Sequence, residues 1–242
     1  MNSELIRNDF PILKTKVGGH QIVYFDNAAT TQRPLPVVNA VLDYTTHENG
    51  NPHRGAHIFA ISASEAYDTS KEVVRDFIHA RSEKEIIYTR NTSESLNLVA
   101  RSYGETHLKA GDHILITIAE HHSNLVTWQR VAQKTGATLD YIYVDKETGH
   151  FPEEELKKID DPRVKLFAFA EVSNVLGIDF DPKPLIQRAH AHGAIVVLDG
   201  AQSTPHKIVD VQDLDCDFFA FSGHKMCSMG GIGVLYGKEE LL

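Results

Sequence analysis

The sequence predicts an α/β protein built on a mostly parallel sheet with helices on both faces. Three observations predict it. Seven apolar, strand-like runs alternate with helix-length amphipathic segments, the alternation that βαβ units leave in a chain. Several of those runs are apolar almost throughout, which requires cover on both faces. The 242 residues, 42% of them hydrophobic, suffice for one large domain, or one with a smaller attachment, around a substantial core.

The elements follow in order. The first fifty or so residues are irregular, and "YFDNAATTQRP" and "HENGNPHRGAH" read as ordered loops. A helix is expected over 61–80, where polar and apolar residues alternate at helical spacing. "EIIYT" (85–89) is a strand, and "SESLNLVARSYG" (93–104) a helix. "HILIT" (113–117) is followed by a helix over 123–136 and the strand "TLDYIYV" (138–144). A helix at 152–159 leads to the strand "VKLFAFA" (164–170). The helix at 183–193 ends in Gly193, as a C-cap should. "AIVVLD" (194–199), "FFAFS" (218–222) and "IGVLYG" (232–237) complete the strands.

Charge and cysteine usage narrow the function classes. With 24 basic and 33 acidic residues the formal charge is −9, and the acidic residues are scattered, which argues against nucleic acid or an anionic membrane as main partner. No apolar run reaches membrane-spanning length, and the N-terminus lacks the apolar core of a signal peptide. Cys216 and Cys227 make neither a disulfide framework nor a CxxC metal site, so a reducing compartment and a cytoplasmic protein are expected.

In parallel sheets ligands collect at the carboxyl ends of the strands. Five strand ends here carry polar residues: "RNTSESLN", "IAEHHSN", "EVSNVLG", "DGAQSTPH" and "GHKMCS". Thr92 and Ser93 stand at a helix start, a place suited to an anion or to an ordinary cap. His121 and His122 precede another helix, as ring-stacking or proton-moving groups or as surface histidines. Asp199 ends a buried strand, with Gln202 three residues on. It needs a cationic partner or serves as a helix cap. Ser222 and His224 offer donors beside Lys225, whose amine becomes nucleophilic if burial lowers its pKa. Together these parts describe a site in which lysine holds an aldehyde, aspartate pairs with a pyridinium nitrogen, and a helix start holds a phosphate. That is what pyridoxal 5′-phosphate (PLP) requires of a protein. Two rival motifs are weaker. His53 and His57 have i, i+4 spacing, but Gly55 between them weakens a helix and no third metal ligand is marked. The glycines of "GGIGVLYG" precede their strand instead of following it, which fails the dinucleotide-binding context.

The stretches "YFDNAATTQRP", "HRGAH", "TRNTSESLNLVA", "AEHHSNLVTWQ", "VSNVLG", "VVLDGAQSTPH" and "DFFAFSGHKM" resemble the class V, fold-type I PLP enzymes, and within them the Suf-type cysteine desulfurases, close to selenocysteine lyase. The resemblance spans nearly the whole chain. It implies a seven-stranded mixed sheet with the last strand antiparallel, and conversion of L-cysteine, or L-selenocysteine, to L-alanine. Sulfur then passes as a persulfide to an acceptor protein for iron–sulfur cluster assembly, in a homodimer. It also implies roles: Lys225 for the aldehyde; Asp199 for the ring nitrogen; Gln202 and Asn174 near the phenolic oxygen; His122 on the ring face; Thr92, Ser93, Ser222 and His224 for the phosphate; Asn27, Ala28, His53, Arg54 and Asn174 on the substrate side; no metal. Residues 1–50 become an N-terminal segment of helix and substrate-side loops, and 51–242 the PLP-binding large domain. The family's small C-terminal domain, with its nucleophilic cysteine and carboxylate-binding arginine, is not in this sequence, which leaves a truncated, catalytically silent binding protein or another class V chemistry as alternatives. Cys216 and Cys227 are expected to be structural. The family's Gly-Pro-Thr-Gly turn after the lysine reads Ser228-Met229-Gly230-Gly231 here, a change expected to loosen the loop that holds Lys225.

Overall fold

In the computed structural model, which describes residues 3–242, the chain opens with α1 (Ser3–Asn8) and a two-residue antiparallel ladder of β1 (Lys16–Val17) and β2 (His20–Gln21). Met1 and Asn2, which start the N-terminal segment, lie outside the described residues. Two helices, α2 (Leu35–Asp43) and α3 (Ile58–Phe77), lead to the main sheet. Its strands are β3 (Ile86–Thr89), β4 (His113–Thr117), β5 (Thr138–Ile142), β6 (Val164–Ala170), β7 (Ile195–Asp199), β8 (Phe218–Ser222) and β9 (Gly233–Gly237). Between them run α4 (Thr92–Val99), α5 (Glu105–His107), α6 (His122–Thr135), α7 (Glu153–Leu156), α8 (Pro182–Ala191) and α9 (Val211–Leu214).

The strand order is β3-β9-β8-β7-β6-β4-β5. β9 pairs antiparallel with both β3 and β8, and the other five strands run parallel to β8. This is the mixed sheet the sequence implies, with the last strand reversed. Its six parallel strands therefore end on one edge.

Side-chain alternation splits the core into two layers. In β6, Leu166 and Ala168 face α4 and α6, packing with Leu96, Val99, Trp128 and Val131. Phe167 and Phe169 face the other way, toward Leu185, Ile186 and Ala189 of α8 and Val211 of α9. Each such fully buried side chain contributes roughly 1.5–3 kcal/mol, which is why central strands read as unbroken apolar runs.

Boundaries differ from expectation where capping decides them. α3 starts three residues earlier than 61, because His57 caps it, its ring accepting from Ala60 N at 3.3 Å. It ends before 80, because His79 adopts a left-handed backbone (φ 57°) and Ala80 N turns back to Arg75 O. α6 ends at a left-handed glycine, Gly136 (φ 76°). α4 passes at Ala100 into a wider turn running to Gly104. β5 stops at Ile142, two residues short of 144. α7 is only four residues, continued as a tighter turn over Lys157–Asp160.

Candidate functional site

The carboxyl ends of β4, β6, β7 and β8, with the turn after β3, enclose a pocket of about 550 Å³. Asn91, Thr92 and Ser93 line it from the start of α4, His121 and Ser123 from the start of α6. Ala170, Val172 and Asn174 follow β6. Asp199 ends β7, with Ala201 and Gln202 in the turn after it, and Ser222 ends β8, with His224 and Lys225 in the turn after it. Asp26, Ala28 and Ala29 of the N-terminal segment close the remaining side. All five polar strand ends picked out in the sequence thus meet in one place.

Two helix starts form the hydroxyl-rich wall. Asn91 caps α4, its Oδ1 accepting from Glu94 N at 2.9 Å. Thr92 N donates to Ser222 Oγ at 2.7 Å, and the two hydroxyls lie 2.6 Å apart. Ser93 and Ser123 hydroxyls meet at 2.5 Å, which joins α4 to α6. Gly233 on β9 lets the start of α4 pack close against the sheet: a Cβ there would sit 2.5 Å from Asn91 Cα. The helix dipoles and the clustered hydroxyls make such a wall an anion site.

Asp199 is 4% exposed and accepts from Ala201 N at 2.9 Å. Burial raises its pKa, against that N–H and the positive charge of Lys225. Burial lowers the pKa of Lys225 below the ordinary lysine range, and Asp199 opposes the shift. The pocket therefore holds an amine biased toward its neutral, nucleophilic form and a buried carboxylate in reach of its field. Gln202 Nε2 donates to Ala28 O at 2.8 Å, tying the N-terminal segment to the site.

The histidine at the pocket is His121, and this corrects the choice of His122. His121 is the N-cap of α6 with an extended backbone, its Nδ1 accepting from Ser123 N at 3.0 Å. Burial and the charge of Lys225 lower its pKa, and Asp199 opposes them. His122 begins the helical run and does not line the pocket; its ring stands nearly perpendicular to that of His121. A pair of identical residues gives no sequence signal for which one is the cap. The substrate-side group divides too. Ala28 and Asn174 line the pocket, but Asn27 faces a neighbouring cavity with Cys227, and neither His53 nor Arg54 lines the pocket. His53 takes a left-handed backbone (φ 59°) that turns its ring edge-on to Tyr67. His53 and His57 both precede α3, so helical i, i+4 spacing does not apply to them.

Sequence reasoning missed Asn91, Ser123, Asp26 and Glu120. The first two follow from reading "RNTS" and "HHSN" as two caps on facing helices. Glu120 lies buried beneath the pocket. It accepts from Thr117 Oγ1, from Asn124 Nδ2 at 2.7 Å and from Ala170 N at 3.1 Å, and burial pushes its pKa up to about 7.

Comparison with known proteins gives a consistent picture. The aminotransferase class-V profile matches residues 23–242. A probable cysteine desulfurase of Halalkalibacterium halodurans is 49% identical over 242 residues, all of this chain and 59% of that protein. The apo structure of a cysteine desulfurase from Thermococcus onnurineus NA1 superposes with a TM-score of 0.90 at 42% identity, covering 99% of this chain and 58% of that one. A structure of SspA in complex with cysteine has a TM-score of 0.81 at 28% identity, covering 89% of this chain and 61% of that one. The chain spans less than two thirds of the length of each of these relatives.

Proposed function

Because the chain belongs to the aminotransferase class-V family, we propose that it forms the PLP-binding part of a cysteine desulfurase, converting L-cysteine to L-alanine and delivering sulfur as a persulfide for iron–sulfur cluster assembly. The observation that carries this reading is the union, in one pocket, of a half-buried lysine, a buried carboxylate and a hydroxyl wall at two helix starts. This donor set fits PLP: an amine for its aldehyde, a carboxylate for its ring nitrogen, and hydroxyls with N–H groups for its phosphate. When bound, PLP supplies an electron sink for the substrate's α-carbon.

In that site Lys225 would bind the aldehyde, and its amine would move a proton at the substrate's α-carbon. Asp199 holds the proton on the ring nitrogen. His121 covers the ring face, the role first given to His122. Thr92, Ser93, Ser222 and His224, with Ser123, hold the phosphate. Gln202 and Asn174 stand at the phenolic edge, and Ala28 with Asn174 toward substrate. Residues 1–50 then serve as the N-terminal segment that closes the site, and 51–242 as the PLP domain. L-selenocysteine suits the same groups.

Neither cysteine lines the pocket. Cys216 is buried, which pushes its thiol pKa far up, and Cys227 faces the neighbouring cavity. The thiol that receives sulfur is supplied from outside these 242 residues, so by themselves they form no persulfide. A homodimer agrees with the exposed apolar side chains Ile58, Phe59, Ile61 and Phe77 along α3. No described helix is long and apolar enough to cross a membrane. The test is titration of the PLP-loaded chain with L-cysteine, followed by absorbance of the bound cofactor. A saturable spectral change that L-serine does not produce supports the assignment. Equal responses to both amino acids, or none, overturn it.

A further inference from the structure

We propose that Thr31 is a positioning residue for Lys225, clasping the lysine turn from the N-terminal segment on both sides of the amine-bearing residue. The inference rests on the reading of Lys225 as the residue that binds the aldehyde, and it explains how a turn rebuilt as Ser228-Met229-Gly230-Gly231 holds its place.

The geometry is a closed set of hydrogen bonds. Before the lysine, His224 O accepts from Thr31 N at 2.9 Å, from Thr31 Oγ1 at 3.0 Å and from Thr30 Oγ1 at 3.0 Å. After the lysine, Cys227 N donates to the same Thr31 Oγ1 at 2.7 Å. One hydroxyl therefore donates to the carbonyl one residue before Lys225 and accepts from the amide two residues after it. Its single proton and its lone pairs are both used in compatible directions. The turn's own bonds, Met226 N and Ser228 N donating to Gly223 O at 2.9 and 3.0 Å, converge on one carbonyl, and the amide between them, that of Cys227, is held by Thr31.

The far side needs holding. Cys227 has φ 66°, a left-handed conformation that costs a residue with a side chain and persists only where its surroundings impose it. Gly230 and Gly231 follow it and supply no stiffness. The N-terminal segment is itself fixed to the site by Gln202 Nε2, bonded to Ala28 O. The clasp thus connects the Asp199–Gln202 turn, the N-terminal segment and the lysine turn.

The test uses Thr31→Val, which keeps the shape and the backbone donor but removes the hydroxyl, with Thr31→Ser as the conservative rescue and Cys227→Gly to relieve the left-handed residue. Two quantities are measured: hydrogen exchange of the amides of 223–231 without cofactor, and the Kd for PLP. Thr31→Val speeds exchange at Cys227 and Ser228 and raises the PLP Kd about tenfold. Thr31→Ser stays within about twofold of the unaltered chain. Cys227→Gly recovers part of the Thr31→Val loss, because glycine needs no imposed strain. Unchanged exchange and affinity in Thr31→Val, or equal damage in Thr31→Ser, overturn the proposal. In the unaltered chain the Cys227 amide exchanges more slowly than that of Gly230, and equal rates there overturn it even if Thr31→Val does not fold. Failure of the unaltered chain to bind PLP refutes the reading of Lys225 instead, and leaves the exchange result to decide the clasp.

Discussion

Replacing Lys207 with methionine should loosen the pocket wall that carries Asn174. Lys207 Nζ lies 2.6 Å from Glu171 Oε1 and 2.9 Å from Asp179 Oδ1. Glu171 follows β6 directly, and Asp179 closes the hairpin begun there by pairing with Val172. Lys207 ends the turn that starts with Asp199 and Gln202, so one ammonium ties two walls of the site together. The Glu171 side chain is 5% exposed, and methionine would leave its carboxylate buried without a counter-ion. Breaking a buried pair from one side costs about 3–5 kcal/mol. Lys207 is one-third exposed and its bond to Asp179 lies at the surface, where pairs are worth about 0–1 kcal/mol. Solvent reaching the place of the one-third-exposed ammonium screens the stranded charge and reduces the buried-pair cost to about 2–3 kcal/mol, to which the surface bond adds little. At about 2–4 °C per kcal/mol for a chain of this size, Tm falls by about 4–12 °C. Glu171→Gln in the same chain should restore much of that loss, because the stranded charge is gone. Thermal unfolding of both single variants and the double variant measures the coupling. A Lys207→Met variant that melts with the unaltered chain, or losses that simply add, would refute the reasoning.

Three further outcomes are expected. Glu120 keeps its proton in the folded chain up to about pH 7 against an ordinary value of 4.5, so the folded state binds more protons across that window. Stability from this group is present below pH 4.5 and lost as pH rises toward 7, about 3 kcal/mol at about 1.4 kcal/mol per pH unit; Glu120→Gln should flatten that slope in denaturant unfolding from pH 5 to 7.5, and an unchanged slope would count against it. Asp199 favours the charged form of Lys225, so Asp199→Asn should move the pH dependence of pyridoxal adduct formation to lower pH; a shift upward is the contrary result. His121→Ala should weaken PLP binding about tenfold, the worth of an aromatic contact near 1.4 kcal/mol, whereas His122→Ala leaves it within about twofold, and equilibrium titration separates the two.

The fold was legible because burial on both faces writes itself into β4, β6, β7 and β8 as unbroken apolar runs. Asp199 and Lys225 were legible because the first ends such a run and the second closely follows one, where a charged residue is conspicuous. Elements too short to show a period, β1, β2 and α9, left no trace, and α2 buries none of its residues, so no apolar stripe needed to be written. Which of His121 and His122 faces the pocket depends on a cap dihedral, not on composition. The displacement of His53 depends on a left-handed residue that no glycine announced. The clasp at Thr31 joins residues 193 and 196 positions apart, and only the folded chain shows it.

The central claim is that Lys225 is the residue that takes an aldehyde. The most direct test is borohydride reduction of the chain incubated with PLP, followed by peptide mass spectrometry, with circular dichroism to confirm the fold. The account predicts a pyridoxyl adduct on the peptide bearing Lys225, and its disappearance in Lys225→Ala. No adduct on a folded chain, or one spread over surface lysines with Lys225 unmodified, would contradict it.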